Sequence, residues 1–211
     1  MTRVFVSKIP EMSEGDFERF SKRVSVERRE KAEKLKIHSK KCQALAVELL
    51  LRAVLVAHFG MNESDIVIEK TPEGKPYLKG DNSFCISLSH CEGVVAVAVS
   101  DNEVGVDVER VRTIDSKIAN RFFTKSEQEY VFKNDSTATE HFFEIWTRKE
   151  ALAKLNGQGL SADIHTCTIE NADRFKSFDF QGYKVSVCTS ENSADDVSFS
   201  SATELLSEYI I

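Results

Sequence analysis

Residues 105–110 of the chain read Gly105-Val106-Asp107-Val108-Glu109-Arg110, apolar and acidic side chains in strict alternation. That is the pattern of a half-buried β-strand, because successive side chains point to opposite faces. Asp107 and Glu109 therefore share one face, while Val104, Val106 and Val108 line the other and pack on a core. Carboxylates two residues apart on such a face lie about 7 Å from each other. β-Propensity disfavours both residue types. Either the face is simply solvated, or the pair holds a hard cation such as Mg²⁺, which takes one or two protein carboxylates and then substrate phosphates.

With 211 residues, 41% of them hydrophobic, the chain can bury one large domain or two small ones. A net charge of −6 gives no reason to expect nucleic-acid binding. The start, Met1-Thr2-Arg3-Val4-Phe5-Val6, turns polar too soon for a signal peptide, and no apolar run approaches membrane length. Cys42, Cys85, Cys91, Cys167 and Cys188 form no C-x-x-C pair; reduced core cysteines in a cytoplasmic protein are expected.

Taken in order, Thr2 to Ile9 reads as a strand, and Ser13 as the cap of a helix striped by Phe17, Phe20 and Val24. A basic helix spans Ser25 to about Ile37, and the most apolar helix runs from Lys40 to Phe59, ended by Gly60. A short strand at Ile66 to Glu69, turn chemistry from Thr71 to Tyr77, and strands at Phe84 to Ser89 and Val94 to Ser100 follow. The order then repeats. Strand Glu103–Val111 answers the first strand, a helix through Ile118, Phe122 and Phe123 answers the first helix, and Thr124-Lys125-Ser126-Glu127 opens a helix as Ser25 did. Phe142 to Leu155, closed by Gly157, matches the long apolar helix. Ala162-Asp163-Ile164 echoes Ser64-Asp65-Ile66 and leads to strands at Thr166–Ile169, Phe175–Phe180 and Tyr183–Thr189. The tail from Ser193 has little pattern beyond a turn at Leu205–Leu206. The expected fold is α+β: two similar halves, residues 1–102 and 103–211, related by a pseudo-two-fold axis with the site in the cleft between them.

On the last long helix Trp146, Glu150 and Lys154 recur at i, i+4, i+8, beside a buried stripe of Phe142, Ile145, Leu152 and Leu155. Glu150 and Lys154 make either an ordinary surface ion pair or, if this edge faces the Asp107/Glu109 strand, a third carboxylate at the cation and a phosphate contact. Trp146 reads as packing. Glu127 completes a Thr-x-x-Glu capping box with Thr124.

GVDVER, RFFTKSE (Arg121 to Glu127) and WTRKEALAKLNGQGL (Trp146 to Leu160) together resemble the 4′-phosphopantetheinyl transferases of the surfactin-synthetase-activating type. ISLSH (Ile86 to His90), EGKPYL (Glu73 to Leu78) and SVERREKAEKL (Ser25 to Leu35) extend the resemblance upstream, over about residues 1 to 190. It implies transfer of the phosphopantetheine arm of coenzyme A to a serine of an apo acyl or peptidyl carrier protein, with release of adenosine 3′,5′-bisphosphate, by a monomer that needs neither nucleic acid nor membrane. Asp107, Glu109 and Glu150 match the Mg²⁺ ligands, and Lys154 the pyrophosphate lysine. Ser89 and His90 match phosphate-binding positions, Gly74, Lys75 and Pro76 the loop along the adenine, and Arg28 and Lys31 contacts to the 3′-phosphate. The nucleotide contacts thus fall in the N-terminal half and the metal and catalytic motifs in the C-terminal half. Two general-base candidates stand, Glu127 and Glu150. One departure bears on coenzyme A affinity: relatives often carry Arg-Thr at the start of the third helix, where this chain has Gln43-Ala44, with Lys40 and Lys41 one turn away. The competing readings are a coenzyme A-binding regulatory protein without turnover and a Mg²⁺-dependent diphosphate hydrolase. The latter family's long Glu-rich helix motif is missing from this sequence.

Overall fold

The computed structural model describes residues 1–157, 168–190 and 196–210. Strand β1 (Thr2–Lys8) opens the chain, followed by helices α1 (Glu14–Ser21), α2 (Val26–Glu33) and α3 (His38–Phe59). Ser13 caps α1 in a reciprocal box with Asp16. Helix α2 stops four residues short of the expected end. Ala32 is its only buried side chain, and Leu35 and Ile37 stay exposed, so no burial rewards a further turn.

A hairpin of β2 (Ile68–Lys70) and β3 (Pro76–Leu78) holds the expected turn, and β4 (Cys85–Cys91) and β5 (Val94–Ser100) complete the first half. The second half comprises β6 (Val104–Arg110), α4 (Ser116–Phe122), α5 (Lys125–Phe132), α6 (Ala138–Asn156), β7 (Phe175–Phe180) and β8 (Tyr183–Thr189). The tail adds β9 (Val197–Ser201) and α7 (Thr203–Tyr209).

The repeat is visible in the sheets. β1 pairs antiparallel with β5, which pairs with β4; likewise β6 pairs with β8, which pairs with β7. Val4, Val6, Val94, Ala96 and Ala98 of the first sheet share one apolar cluster with Val104, Val106, Val108, Val185 and Val187 of the second. Phe5, on the opposite face of β1, packs in the cluster around α3. The first sheet is therefore buried on both faces, by α3 on one side and by the second half on the other. The valine face of β6 is the buried seam that its alternation required. Its other face meets α6, and Asp107 lies on it.

Three expectations are corrected. The tail is not pattern-free: β9 adds in parallel to β1, with Val4 opposite Phe199, and the Ala202 amide donates to the Val6 carbonyl at 2.8 Å. Residues 197–201 thus belong to the sheet of the first half, although the sequence places them with the second. Helix α3 is long and apolar enough by length and composition to cross a membrane, but 78% of that stretch is buried in the protein, so it is a core helix. Of the expected strand Thr166–Ile169, Thr166 and Cys167 lie outside the described residues, and Thr168 and Ile169 form a turn. Ala162-Asp163-Ile164 and the Gln158-Gly159-Leu160 end of the long motif also lie outside them. Cys42, Cys85, Cys91 and Cys188 are free thiols.

Candidate active site

A cavity of about 530 Å³ opens where α2, the β2–β3 turn and β4 of the first half meet β6 and α6 of the second. Arg28, Lys31, Gly74, Lys75, Pro76, Ser89, His90, Asp107, Glu109, Glu150 and Lys154 all line it. The expected site residues are thus brought together from both halves, with one exception.

That exception is Glu127. It does not line the cavity and is fully buried elsewhere. Its Oε2 pairs with the buried Lys149 ammonium at 2.9 Å and accepts from the Thr124 amide at 2.8 Å. Its Oε1 accepts from the Thr168 amide and hydroxyl at 2.8 and 2.9 Å. Burial alone would raise this carboxyl, but the Lys149 ammonium and the two amides hold it below its ordinary value. A saturated carboxylate that binds protons weakly is a poor proton acceptor. Glu127 is a structural keystone between α5, α6 and the segment before β7.

At the other side of the repeat Glu48 of α3 plays a similar part. It accepts from the Ser25 amide and hydroxyl at the start of α2, at 2.6 and 2.8 Å, and pairs with Arg52 and Arg28 at 3.0 and 3.8 Å. Arg28 is thereby held at the cavity wall. Lys31 takes no ion pair among the described residues. Its ammonium is lowered by desolvation, then by the positive charges of Arg28 and Lys70. Lys70, in contact with Glu27, also lines the cavity and was not singled out from sequence.

At the centre, Asp107 is buried at 5% exposure. Its Oδ1 accepts from Lys154 Nζ and from Ser89 Oγ, each at 2.7 Å. Lys154 also donates to Ser89 Oγ at 2.7 Å and to the Val106 carbonyl at 3.1 Å. Asp107 Oδ2 is buried with no hydrogen-bond partner among the described residues. Glu150 is pushed up to about 7 by burial and by the charges of Asp107 and Glu109, against the pull of Lys154. Glu109 is raised by burial and by Asp107, while Arg112, Lys154 and a hydrogen bond from the Trp146 indole act the other way.

These carboxylates fit a divalent cation on chemical grounds. A buried anionic oxygen without a donor costs free energy that a cation would recover, and mutual repulsion between ionised Asp107, Glu109 and Glu150 would be relieved. No three acidic, His or Cys side chains are drawn close enough among the described residues to form a ready-made cage.

Ser87 and Ser89 alternate on β4 toward the edge of β6. Ser87 Oγ accepts from the Val106 amide at 3.0 Å and Ser89 Oγ from the Val108 amide at 3.3 Å. This pair fastens the two halves beside the cavity. The Ser-x-Ser spacing was the available signal for Ser87, which the sequence reading passed over. Lys75 fastens them a second time: its ammonium pairs with Glu103 and donates to the Leu155 carbonyl at 2.8 Å, near the left-handed Gly157 that ends α6. His90 is lowered to about 4, first by partial desolvation and then by Arg28, Lys154 and Lys31. The imidazole is therefore neutral at pH 7.

The family model of the 4′-phosphopantetheinyl transferase superfamily matches residues 103–201, and a model for the N-terminal part of a 4′-phosphopantetheinyl transferase matches residues 10–102. Among similar proteins, 4′-phosphopantetheinyl transferase Sfp of Bacillus subtilis (strain 168) is 28% identical over 213 residues, 92% of this chain and 95% of that protein. The gsp transferase of Aneurinibacillus migulanus is 31% identical over 174 residues, 74% of this chain and 72% of that one. The psf-1 transferase of Bacillus pumilus is 34% identical over 146 residues, 69% of this chain and 63% of that one. Residues 10–201 are thus accounted for from end to end, and the chain belongs to the 4′-phosphopantetheinyl transferase superfamily, among members of the surfactin-synthetase-activating type.

Proposed function

We propose that this chain moves the 4′-phosphopantetheine arm of coenzyme A onto a serine hydroxyl of an apo acyl or peptidyl carrier protein. The serine oxygen bonds to the phosphorus that carries the pantetheine arm. The bond from that phosphorus to the bridging oxygen breaks, and adenosine 3′,5′-bisphosphate leaves. One observation carries the reading: a single cavity joins a cationic end, Arg28, Lys31 and Lys70, to a centre where Lys154, Ser89 and three carboxylates converge. A nucleotide 3′-phosphate suits the first and a pyrophosphate the second.

Asp107, Glu109 and Glu150 are the residues that would hold Mg²⁺, whose chemistry is to neutralise phosphate charge and template the attack. Lys154 supplies a point charge already aimed between Asp107 and Ser89. Glu150 is the base candidate at the cavity: burial and the charges of Asp107 and Glu109 raise it, and a bound cation would lower it again. Because one chain supplies both walls, the proposal needs no second copy.

Incubation with Mg²⁺, coenzyme A and an apo carrier tests the reading. A mass gain on the carrier equal to one phosphopantetheine supports it. Coenzyme A cleavage without carrier modification points to a hydrolase, and binding without turnover to a regulatory protein.

At the nucleotide end, Arg28→Ala, Lys31→Ala and Lys70→Ala should each raise KM for coenzyme A and change kcat little, the mark of uniform binding. With 3′-dephospho-coenzyme A the same variants should lose almost nothing. Equal losses on both substrates would place these side chains elsewhere.

For the carrier, a local basic and apolar patch must offset the net charge of −6 if the partner is acidic. Lys117, Arg121 and Lys125 are exposed on and after α4, next to partly buried Ile118 and Phe122. The Phe122 ring lies 5.6 Å from that of Trp146, on the helix that carries Glu150 and Lys154. A second hollow, lined by Lys40, Arg110 and Arg112, reaches Glu109 from this side. Changing both Lys117 and Arg121 to Glu should raise KM for an acidic carrier severalfold and invert its salt dependence, with coenzyme A affinity unmoved. Unchanged carrier kinetics at low ionic strength would move the docking face.

A further inference from the structure

At the Gln43-Ala44 departure, the sequence suggests only a loss of phosphate contacts. In the fold the Gln43 side chain is buried, 7% exposed, with its Nε2 3.0 Å from His90 Nδ1. Its Oε1 lies 3.5 Å from Lys40 Nζ. An ammonium has donors only, so the amide oxygen is the atom that belongs on the Lys40 side and the amide nitrogen the one that faces the imidazole. An amide nitrogen donates and does not accept. His90 Nδ1 must then be the bare, accepting nitrogen, and a neutral ring carries its proton on Nε2.

Neutrality has separate support. Arg28 and Lys31 of α2, Lys40 of α3 and Lys154 of α6 are the cations around this corner, and Arg28, Lys154 and Lys31 oppose a further positive charge on the ring. A protonated His90 would also need an acceptor at Nδ1, where Gln43 offers a donor.

We propose that Gln43 is a positioning residue that holds His90 as the neutral Nε2–H tautomer, so that the ring offers one N–H donor to an anion in the cavity. The residue that removes a cation from this end of the site thereby fixes a neighbour as a hydrogen-bond donor of set direction. Direction then substitutes for charge, and three or four cations need not accommodate another. The tautomer follows from the Gln43 contacts alone; the identity of the anion as a coenzyme A phosphate rests on the function proposed above.

Long-range ¹H–¹⁵N correlation spectra of the full chain labelled with ¹⁵N-histidine read the tautomer directly. For the wild-type protein at neutral pH, His90 should show a protonated Nε2 and a bare Nδ1. Gln43→Glu, nearly isosteric, presents an acceptor instead, so Nδ1 should become protonated. Gln43→Leu, which keeps bulk and removes both functions, should give a mixture. In steady-state assays Gln43→Glu should raise KM for coenzyme A severalfold with kcat little changed. A wild-type His90 with a protonated Nδ1, or a tautomer indifferent to both substitutions, overturns the proposal, and the wild-type spectrum decides even if a variant fails to fold. The expected spectra with an unmoved KM would uphold the positioning role and remove His90 from the coenzyme A contacts.

Discussion

Gly105→Ala is expected to cost at least about 3 kcal/mol, the upper range for an overpacked core, and to abolish activity in whatever protein remains folded. A Cβ at Gly105 would stand 1.9 Å from the Ala151 carbonyl oxygen, 2.7 Å from the Leu155 amide nitrogen and 2.9 Å from the Ala151 carbonyl carbon. All three atoms are backbone of α6, so no side-chain rotation relieves the clash. The helix must retreat from β6, and Glu150 and Lys154 retreat with it. Lys154 Nζ would leave Asp107, Ser89 and the Val106 carbonyl, its three partners at 2.7, 2.7 and 3.1 Å. Urea unfolding followed by circular dichroism measures the first effect. A variant within about 0.5 kcal/mol of wild type, the range of neutral surface changes, would mean that α6 does not need this close approach.

Glu127→Ala should destabilise by roughly 3–5 kcal/mol, since it leaves the Lys149 ammonium buried without its carboxylate. Lys149 is 2% exposed and Glu127 not at all. Because the folded-state pKa of Glu127 is lowered, the stability it provides is present above its ordinary value of 4.5 and fades as pH falls through the lowered one. The variant should therefore lose less, relative to wild type, in acid than at pH 7. Replacing both residues, Glu127→Leu with Lys149→Met, should recover much of the loss. Transfer by that double variant at near-wild-type rate would establish Glu127 as structural. A folded double variant with no transfer would return Glu127 to candidacy as the base.

What the sequence displayed was local periodicity and its repetition. The alternation in 104–108 announced both the buried valine seam and the acidic face, and the i, i+4, i+8 row of Trp146, Glu150 and Lys154 lay along the edge that meets it. What it hid was pairing at a distance. Strand β9 is short, with serine at three of its five positions, and its partner β1 lies at the other end of the chain, so no window of sequence contains both. Lys149 looked like any charge on an amphipathic helix, although it is sunk against Glu127. Ser87 and Gln43 are polar residues with weak local preference, and only the approach of β6 and of His90 gives them partners. The capping box at Thr124 was readable, but not that the same carboxylate also serves Lys149 and Thr168, away from the cavity where the family resemblance would have it act as a base.

Under the proposed function, Asp107, Glu109 and Glu150 serve a Mg²⁺-dependent transfer from coenzyme A. The most direct test is the initial rate of carrier modification as Mg²⁺ is titrated into chelator-treated wild-type protein and Asp107→Ala, with coenzyme A binding measured in parallel. The wild-type rate should rise from near zero and saturate with Mg²⁺. Asp107→Ala should stay folded, since Lys154 keeps Ser89 Oγ and the Val106 carbonyl as partners and Glu109 and Glu150 lose a repelling neighbour, and should bind coenzyme A yet transfer nothing at any Mg²⁺ concentration. A wild-type rate indifferent to chelation, or an Asp107→Ala protein that keeps near-wild-type turnover, would contradict the account.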